Sequence, residues 1–284
     1  MELFVQDGGS TDGSQEILRR FPIRWASEPD TGISQALMRA VKASDGEIIG
    51  ITCTDDMMQP GAVSAAVAVF TTSPEVIMVY GDCYEVDLRG RPFKLWKSMP
   101  FDLDWLCWEC YIPGQTVYLR RTAFLEVGGF DENLRLTQDL DLWLRLGAHY
   151  PSASFRYVPK VMGCYRVVQT SAGLGNPRES IKCLSRVIQK FLDNPTNVAQ
   201  LRKGRHRALA GMLLVLVVCY LQAGERRLAW KTYLRAVKSY PPLLVTKKGI
   251  MTLPQLLAGD WLRRLYRQIE QACGRIRRGQ LLQG

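Results

Sequence analysis

Residues 46–56 read GEIIGITCTDD, an apolar run that ends in two adjacent acids. An uncharged run such as IIGIT is typical of a strand that is buried on both faces of its sheet. Asp55 and Asp56 follow at the carboxyl end of this strand, where open α/β sheets bind their ligands. Neighbouring carboxylates repel each other unless a cation or a hydrogen-bond donor neutralises them. The stretch therefore predicts a buried strand that ends in a polar binding site.

Strand-like and helix-like segments alternate on both sides of this stretch. The strands are predicted at 2–6, 23–27, 47–52 and 76–82, and the helices between them at 10–21, 32–44 and 60–72. This β-α-β order predicts an α/β fold with a Rossmann-like, mostly parallel sheet and flanking helices.

The second half of the chain has a different pattern. We expect a hairpin that turns at Arg89-Gly90, a helix closed by Gly128-Gly129, a helix over 137–150, and two short strands around Pro159. From about residue 177 the pattern is almost wholly helical. We therefore predict a first domain over 1–172 and an α-helical extension over 173–284. The apolar run 208–221 is shorter than the roughly 20 residues of a membrane span, which predicts a buried helix.

Charge is distributed unevenly along the chain. The net charge is +10, but residues 1–200 hold 20 Lys and Arg against 24 Asp and Glu, whereas residues 201–284 hold 17 against 3. A basic helical tail suits an anionic membrane surface or an acidic partner, and equally a solvated basic face. It lacks the aromatic-interleaved strands of a single-strand binder, so no nucleic acid is expected. The start 2–6 is too short and polar for a secretion signal, which favours the cytoplasm, at the inner face of the membrane.

The eight cysteines are expected to be reduced thiols, because no secretory signal accompanies them. Cys107 and Cys110 form a CWEC motif. A single CxxC without a second pair is a weak zinc signal, so an aromatic-rich turn is the favoured interpretation.

Six segments in order resemble the family 2 glycosyltransferases, which are inverting enzymes with a GT-A fold. They are DGGSTDGS (7–14), SEPDTGISQAL (27–37), GEIIGITCTDDMMQPGAV (46–63), VYGD (79–82), GQTVYLRRTAFLEVGGFDENL (114–134) and QDLDLWLRL (138–146). Each segment is moderately specific, and the ordered series is strongly so. The resemblance covers roughly residues 1–170.

The resemblance implies a role for each matching residue. Asp139 is implied as the catalytic base and Asp56 as the ligand of Mg²⁺ or Mn²⁺, with Asp55 on the ribose. The remaining donor-site residues are Asp7, Gly8, Gly9, Ser10, Asp30 and Arg39, and those of the acceptor site are Gln115, Gly129, Phe130 and Asp141. The implied donor is a nucleotide sugar, most commonly a UDP-sugar, and the acceptor is a glycan or a lipid-linked hydroxyl.

Three departures from the family pattern bear on activity. The strand and helix that usually precede the DGGSTDGS strand are not found, which favours a start that lies outside this sequence. No histidine stands near Val168, where Gln169 could bind phosphate instead, and Met38-Arg39 replaces the usual Asn-Lys, with Arg39 keeping the charge. The alternative is a non-catalytic binding relative or a truncated, inactive copy. A nucleotidyltransferase is disfavoured because the chain has no Gly-rich loop with basic residues.

Overall fold

The computed structural model describes residues 1–168 and 175–257, with α-helices and strands that alternate through the first part of the chain. The strands are β1 (Phe4–Asp7), β2 (Arg24–Ser27), β3 (Ile48–Gly50), β4 (Met57–Met58), β5 (Met78–Val86), β6 (Pro92–Trp96), β7 (Tyr118–Arg120) and β8 (Phe155–Arg166). The helices are α1 (Ser14–Leu18), α2 (Ile33–Ala43), α3 (Ala62–Thr72), α4 (Leu103–Trp108), α5 (Arg121–Glu126), α6 (Gln138–His149), α7 (Pro177–Leu192), α8 (Pro195–Ala199), α9 (Gly204–Gln222), α10 (Arg226–Ser239) and α11 (Lys247–Leu257).

The strands form two sheets. β1 and β2 pair in parallel, and the other six form a sheet of order β3-β7-β5-β8-β4 with β6 added on β5. The predicted α/β class, with flanking helices and a helical C-terminal part, is confirmed. Parallel pairing is less common than expected, because among the described strands only β1–β2 and β5–β8 run in parallel. β7 inserts antiparallel between β3 and β5, and β6 returns as a hairpin through Gly90, which has a positive φ of 75°.

The segment around Pro159 differs from its prediction. One strand of twelve residues, β8, replaces the two short strands, and its register on β5 slips between Gly81 and Asp82. Proline cannot donate a ladder hydrogen bond and is tolerated at such bulges. The bulge takes up Pro159 and lets the strand continue to Arg166.

Strands β1 and β3, which precede the predicted donor-site turns, each have one hydrogen-bonded neighbouring strand among the described residues. Among the strands described, β1 pairs only with β2, and β3 pairs only with β7. The two sheets are therefore not joined by a ladder within residues 1–168 and 175–257. The prediction of a preceding family strand stays a prediction.

The helical part packs on the first part through one shared core. This core contains Trp108 and Leu106 from the first part together with Met212 and Leu213 from α9. Helix α9 is long and apolar enough to cross a membrane by length and composition alone, but half of its most apolar window is buried inside the fold. The expected buried helix is thus present. The predicted domain boundary near residue 172 falls outside the described residues.

Helix α9 lies close against the end of α4 at Gly211. A Cβ built on Gly211 would lie 2.6 Å from the Cα of Trp108 and 2.8 Å from the carbonyl oxygen of Cys107. Both neighbours are backbone atoms, which cannot move aside by a rotamer change. A residue without a side chain is therefore required at this crossing.

Gly211→Ala should destabilise the protein even though alanine favours helices. Overpacking costs about 1–3 kcal/mol, whereas the helix propensity of alanine returns at most about 1 kcal/mol. We expect chemical denaturation to show a lower free energy of unfolding for this variant. The control Val218→Ala, at an exposed position of the same helix, should change it by less than about 0.5 kcal/mol. A Gly211→Ala protein as stable as the wild type would contradict the packing described.

Candidate functional site

The turn after β1 is organised by the carboxylate of Asp7. Its Oδ2 accepts hydrogen bonds from the N–H of Gly9 (3.1 Å) and of Ser10 (2.9 Å) and from the hydroxyl of Ser27 (2.6 Å), and the Ser10 hydroxyl donates to Oδ1. The hydroxyls of Ser10 and Ser27, with the two backbone N–H groups, lower the pKa of Asp7 to about 2. Asp7 is therefore ionised at neutral pH, and much of its acceptor capacity is used within the turn.

The loop after β2 lies against this turn. A Cβ placed on Gly8 would lie 2.6 Å from Oδ2 of Asp30, and the other carboxylate oxygen of Asp30 accepts from the N–H of Gly32 at 2.9 Å. Arg39 on α2 donates to the carbonyl of Pro29 at 2.9 Å and lies 3.5 Å from the carboxylate of Glu28. The structure thus brings Asp7, Gly8 and Asp30 together, with Arg39 supporting the loop from behind.

The two adjacent acids after β3 are held by the end of β8. The backbone N–H of Arg166 donates to Oδ1 of Asp56 at 3.0 Å, and its Nε donates to the carbonyl of Asp55 at 2.8 Å. Another guanidinium nitrogen of Arg166 donates to the carbonyl of Leu88 at 2.8 Å. Burial raises the pKa of Asp56, and the hydrogen bonds from Arg166 and Gln115 only partly offset this rise.

These acids can hold a divalent cation. The ligand atoms of Cys53, Asp55 and Asp56 all lie within 4.8 Å of one another. Burial, followed by the neighbouring carboxylates, raises the pKa of the Cys53 thiol to about 12, so the thiol stays protonated and is a poor ligand. Two carboxylates form an oxygen donor set of the kind that Mg²⁺ and Mn²⁺ prefer. The residues present therefore fit the expected ion.

A small cavity lies between the end of β3 and the start of α6. Its volume is about 90 Å³, and Asp139, Cys53 and Gln115 are among its lining residues. Most of the remaining lining is apolar: Ile33, Leu37, Ile49, Ile51, Val117, Leu119, Phe130 and Trp143. The Cys53 thiol lies within electrostatic range of Asp55, Asp56 and Asp139. The predicted metal ligand Asp56 and the predicted base Asp139 thus both lie near Cys53, and their roles stay predictions.

The environment of Asp139 is that of a base held in apolar surroundings. Its Oδ1 accepts from the N–H of Leu140 at 2.8 Å, and no cationic group in the described residues pairs with it. Burial raises the pKa of Asp139 above its ordinary value. A carboxylate of raised pKa is a stronger proton acceptor at neutral pH than an exposed aspartate.

Two residues that line this cavity each carry an unpaired polar atom. Within the described residues, Oε1 of Gln115 and Nε1 of Trp143 are the buried side-chain polar atoms without a hydrogen-bond partner, and both residues line the cavity. The amide NH₂ of Gln115 is turned to Asp56, which needs a donor, so its oxygen is left over. One free acceptor and one free donor match a hydroxyl group, which both donates and accepts.

Asp141 lies on the opposite face of α6 from Asp139, because two residues turn a helix by about 200°. It is buried and pairs with Arg145 at 2.7 Å and with Lys190 at 3.1 Å. Arg145 also donates to the carbonyls of Val127 and Gly129. Asp141 thus contacts the predicted acceptor turn through Arg145 and does not line the cavity near Asp139.

The Gly128–Phe130 turn closes the acceptor side. Gly129 has a positive φ of 65°, and a Cβ there would lie 2.7 Å from the sulfur of Met38. The same sulfur accepts from the N–H of Phe130 at 3.3 Å, and the ring of Phe130 lines the cavity. Met38, which departs from the family pattern, is therefore the residue that seats this turn.

Sequence reasoning missed three residues of the site: Cys53, Trp143 and Arg166. Trp143 stands four residues after Asp139, so its helical spacing could have placed it beside the base. Arg166 lies within the segment searched for a histidine, and its charge was a usable signal. Gln169, named there instead, lies outside the described residues. The CWEC motif lies at the end of α4, where Cys107 is buried and Cys110 is half-buried.

Sequence comparison finds similarity to glycosyltransferases over part of the chain. The family model described as Glycosyl transferase family 2 matches residues 1–126. A "PGL/p-HBAD biosynthesis glycosyltransferase" of Mycobacterium bovis (strain BCG / Pasteur 1173P2) is 30% identical over 171 residues, which are 58% of this chain and 64% of that protein. A chondroitin synthase of Escherichia coli is 25% identical over 173 residues, which are 59% of this chain and 24% of that protein.

Structural comparison agrees on the fold. S. aureus TarS 1–349 superposes with a TM-score of 0.54 at 12% identity, covering 84% of this chain and 79% of that one. The mannosyltransferase PcManGT of Pyrobaculum calidifontis, in complex with GDP-Man and Mn²⁺, superposes with a TM-score of 0.52 at 17% identity, covering 97% and 76%. These likenesses show the GT-A fold alone. Residues 1–126 therefore match glycosyl transferase family 2, and the chain spans less than two thirds of the length of the curated relatives that it matches.

Proposed function

We propose that this protein transfers a sugar from a nucleoside diphosphate sugar to an acceptor hydroxyl, with inversion at the anomeric carbon. The observation that carries the proposal is the cavity in which Asp139, of raised pKa, lies with Cys53 beside Asp55 and Asp56. A base and a cation site are the two elements that such a transfer needs. Release of nucleoside diphosphate from UDP- and GDP-sugars, with and without acceptor, is the direct test.

The base step follows from the position of Asp139. The acceptor hydroxyl enters the cavity and gives its proton to the Asp139 carboxylate as its oxygen bonds to the anomeric carbon. The bond from that carbon to the diphosphate breaks on the opposite side, which inverts the configuration. The apolar walls limit water at the carboxylate and so keep its pKa raised.

The donor side is assigned to the turns after β1, β2 and β3. Asp55 and Asp56 would hold Mg²⁺ or Mn²⁺, which when bound neutralises charge on the departing diphosphate. Asp30 lies beside Gly8 and accepts a hydrogen bond from Gly32, whereas Oδ2 of Asp7 already accepts at least three. We therefore assign Asp30 to the nucleotide base or the ribose. The TarS 1–349 structure in complex with UDP-GlcNAc, with a TM-score of 0.54, and the GDP-Man complex of PcManGT support a nucleotide sugar and leave the base open.

The acceptor side is assigned to Gln115, Trp143 and the Gly128–Phe130 turn. Their free donor and acceptor atoms suit one hydroxyl, while the apolar lining suits a carbon framework around it. A glycan or a lipid-linked hydroxyl is the acceptor that we propose. The relatives are named for PGL/p-HBAD biosynthesis and for chondroitin synthesis, which supports a glycolipid or a polysaccharide as the product.

A non-catalytic binding relative is the second candidate. Two observations favour it: the Asp7 carboxylate is engaged by its own turn, and β1 and β3 each lack a second ladder partner among the described strands. Such a protein would bind nucleotide without releasing nucleoside diphosphate from a sugar donor. The release assay therefore separates the two candidates.

Donor binding should depend on the metal and on Asp56. A nucleoside diphosphate at a hundred times its Kd should stabilise the folded protein by about 2.7 kcal/mol in thermal melts. We expect this gain to require Mn²⁺ or Mg²⁺ and to vanish in Asp56→Ala. Asp45 is an exposed acid in the loop between α2 and β3, and the control variant Asp45→Ala should keep the stabilisation by nucleotide. Equal stabilisation of both variants would contradict the assigned cation site.

Asp139→Asn should abolish transfer without loss of stability. Because burial raises its folded pKa, wild-type stability falls as pH rises from the ordinary aspartate pKa through the raised one, and asparagine removes this fall. We expect equal or higher unfolding free energy at pH 7, with donor binding intact. In the wild type, kcat/KM should decline on the acid side around the raised pKa.

Asp141→Asn is the matched control for the effect of Asp139→Asn on stability. Asp141→Asn leaves Arg145 and Lys190 without their buried acid and should lower the unfolding free energy by about 3 kcal/mol. If Asp139→Asn were the unstable variant, or kept wild-type turnover, the assignment of the base would be wrong.

Trp143→Phe should weaken acceptor use selectively. The change removes the unpaired indole N–H and keeps an aromatic ring, so the loss of one neutral hydrogen bond should raise the acceptor KM about 3- to 10-fold. Donor KM should not change. Trp230→Phe on α10 serves as the control for a tryptophan outside the cavity. Equal effects on donor and acceptor would place Trp143 in a purely structural role.

A further inference from the structure

The segment Arg226–Leu257 forms a helical hairpin, here called the C-terminal hairpin. It consists of α10, the turn Pro241–Val245 and α11. The two helices are fastened side by side, because the hydroxyl of Tyr233 donates to the carbonyl of Gly249 and Arg226 donates to those of Leu256 and Leu257. The start of α10 thus lies beside the end of α11.

Helix α11 is apolar on both faces. Its inner face consists of the buried residues Gly249, Thr252 and Leu256. Its outer face carries Ile250, Pro254 and Leu257 at helical spacing, and Ile250 and Leu257 are 52% and 70% exposed. A helix of this kind is normally covered on every side. Its outer face therefore needs a partner.

The turn that joins the helices continues this apolar surface. Leu244 is 47% exposed and Val245 is 81% exposed, and the exposed prolines 241 and 242 precede them. Several large apolar side chains in sequence at a turn exceed the scattered exposure that is normal for a protein surface. The turn and the outer face of α11 form one patch along the hairpin.

The neighbouring outer stripe of α10 is strongly basic. The exposed residues of this stripe are Arg227, Lys231, Leu234, Arg235 and Lys238, at helical spacing. Residues 226–257 contain seven Lys and Arg and no Asp or Glu, and residues 258–284 add six arginines against two acids. Lys248 turns inward, where burial lowers its pKa to about 8 and its ammonium donates to the carbonyl of Trp108. The partner must therefore be anionic as well as apolar.

We propose that the C-terminal hairpin binds an anionic lipid bilayer, with Leu244, Val245, Ile250 and Leu257 inserted below the headgroups and the α10 stripe against them. An apolar patch beside a row of lysines and arginines is the pattern of a helix that lies in the membrane interface. An acidic protein surface would match the charge but not the exposed apolar side chains. The residues of this surface do not line the transfer site, and the proposal does not depend on the proposed reaction.

The test is flotation of the full chain with phosphatidylcholine vesicles and with vesicles that also contain phosphatidylglycerol. We expect binding to the anionic vesicles alone, weakened at least 10-fold as salt shortens the Debye length from about 10 Å to about 3 Å. The double variant Val245→Asp/Ile250→Asp should lose at least 10-fold in affinity. The control Val67→Asp/Leu125→Asp adds the same charge at exposed positions outside the hairpin and should bind as the wild type.

Thermal melts and sedimentation of the same variants decide between other occupants of the patch. The proposal is supported if every variant is a monomer with unchanged melting and the hairpin variant alone loses vesicle binding. Absence of vesicle binding, or equal binding by both double variants, overturns it. A lower melting temperature of the hairpin variant without a change in vesicle binding would assign the patch to this chain's own residues. A dimer that the hairpin variant dissociates would assign it to a second copy.

Discussion

The parallel pairing of β5 with β8 is the interaction on which the site depends. It runs from Met78 opposite Phe155 to Val86 opposite Arg166, across the bulge at Pro159. Because the strand continues past that bulge, Arg166 reaches the turn after β3 and bonds both Asp55 and Asp56. Without this register, the Asp56 carboxylate would lose its backbone donor and the Asp55 carbonyl would lose the Arg166 guanidinium. The sheet core thus sets the geometry of the charged edge.

Burial is the second constraint, and it acts differently on each acid of the site. Asp7 is surrounded by hydroxyl and N–H donors, so its pKa falls to about 2 and it orders a turn. Asp139 and Asp56 are desolvated with few donors, so their pKa values rise. One carboxylate is therefore fixed as an anion by hydrogen bonds, while the others are held at higher free energy, ready for a proton or a cation. The roles that we propose, general base and cation ligand, fall on these two desolvated carboxylates.

Much of the fold and of the site could be predicted from sequence because the signals are local. The strand before Asp55, the hairpin at Gly90 and helix α6 follow from periodicity and turn residues. Strand direction could not be read, since β7 is too short to signal its antiparallel insertion. The positions of Arg166 and Trp143 needed tertiary packing. Asp141 shows the same limit: helix geometry separates it from Asp139, but its partners Arg145 and Lys190 come from folding.

The acceptor end of the site and the C-terminal hairpin are neighbours. The Cys110 thiol lies within electrostatic range of both the Asp139 carboxylate and the Lys248 ammonium, and Lys248 also bonds the carbonyl of Trp108. The hairpin is basic, whereas residues 1–200 carry more acids than bases. An anionic bilayer would attract the former and repel the latter, which orients the molecule with the hairpin toward the lipid. Because Asp139 and Lys248 both lie within electrostatic range of Cys110, a membrane bound by the hairpin would lie near the acceptor end of the proposed site.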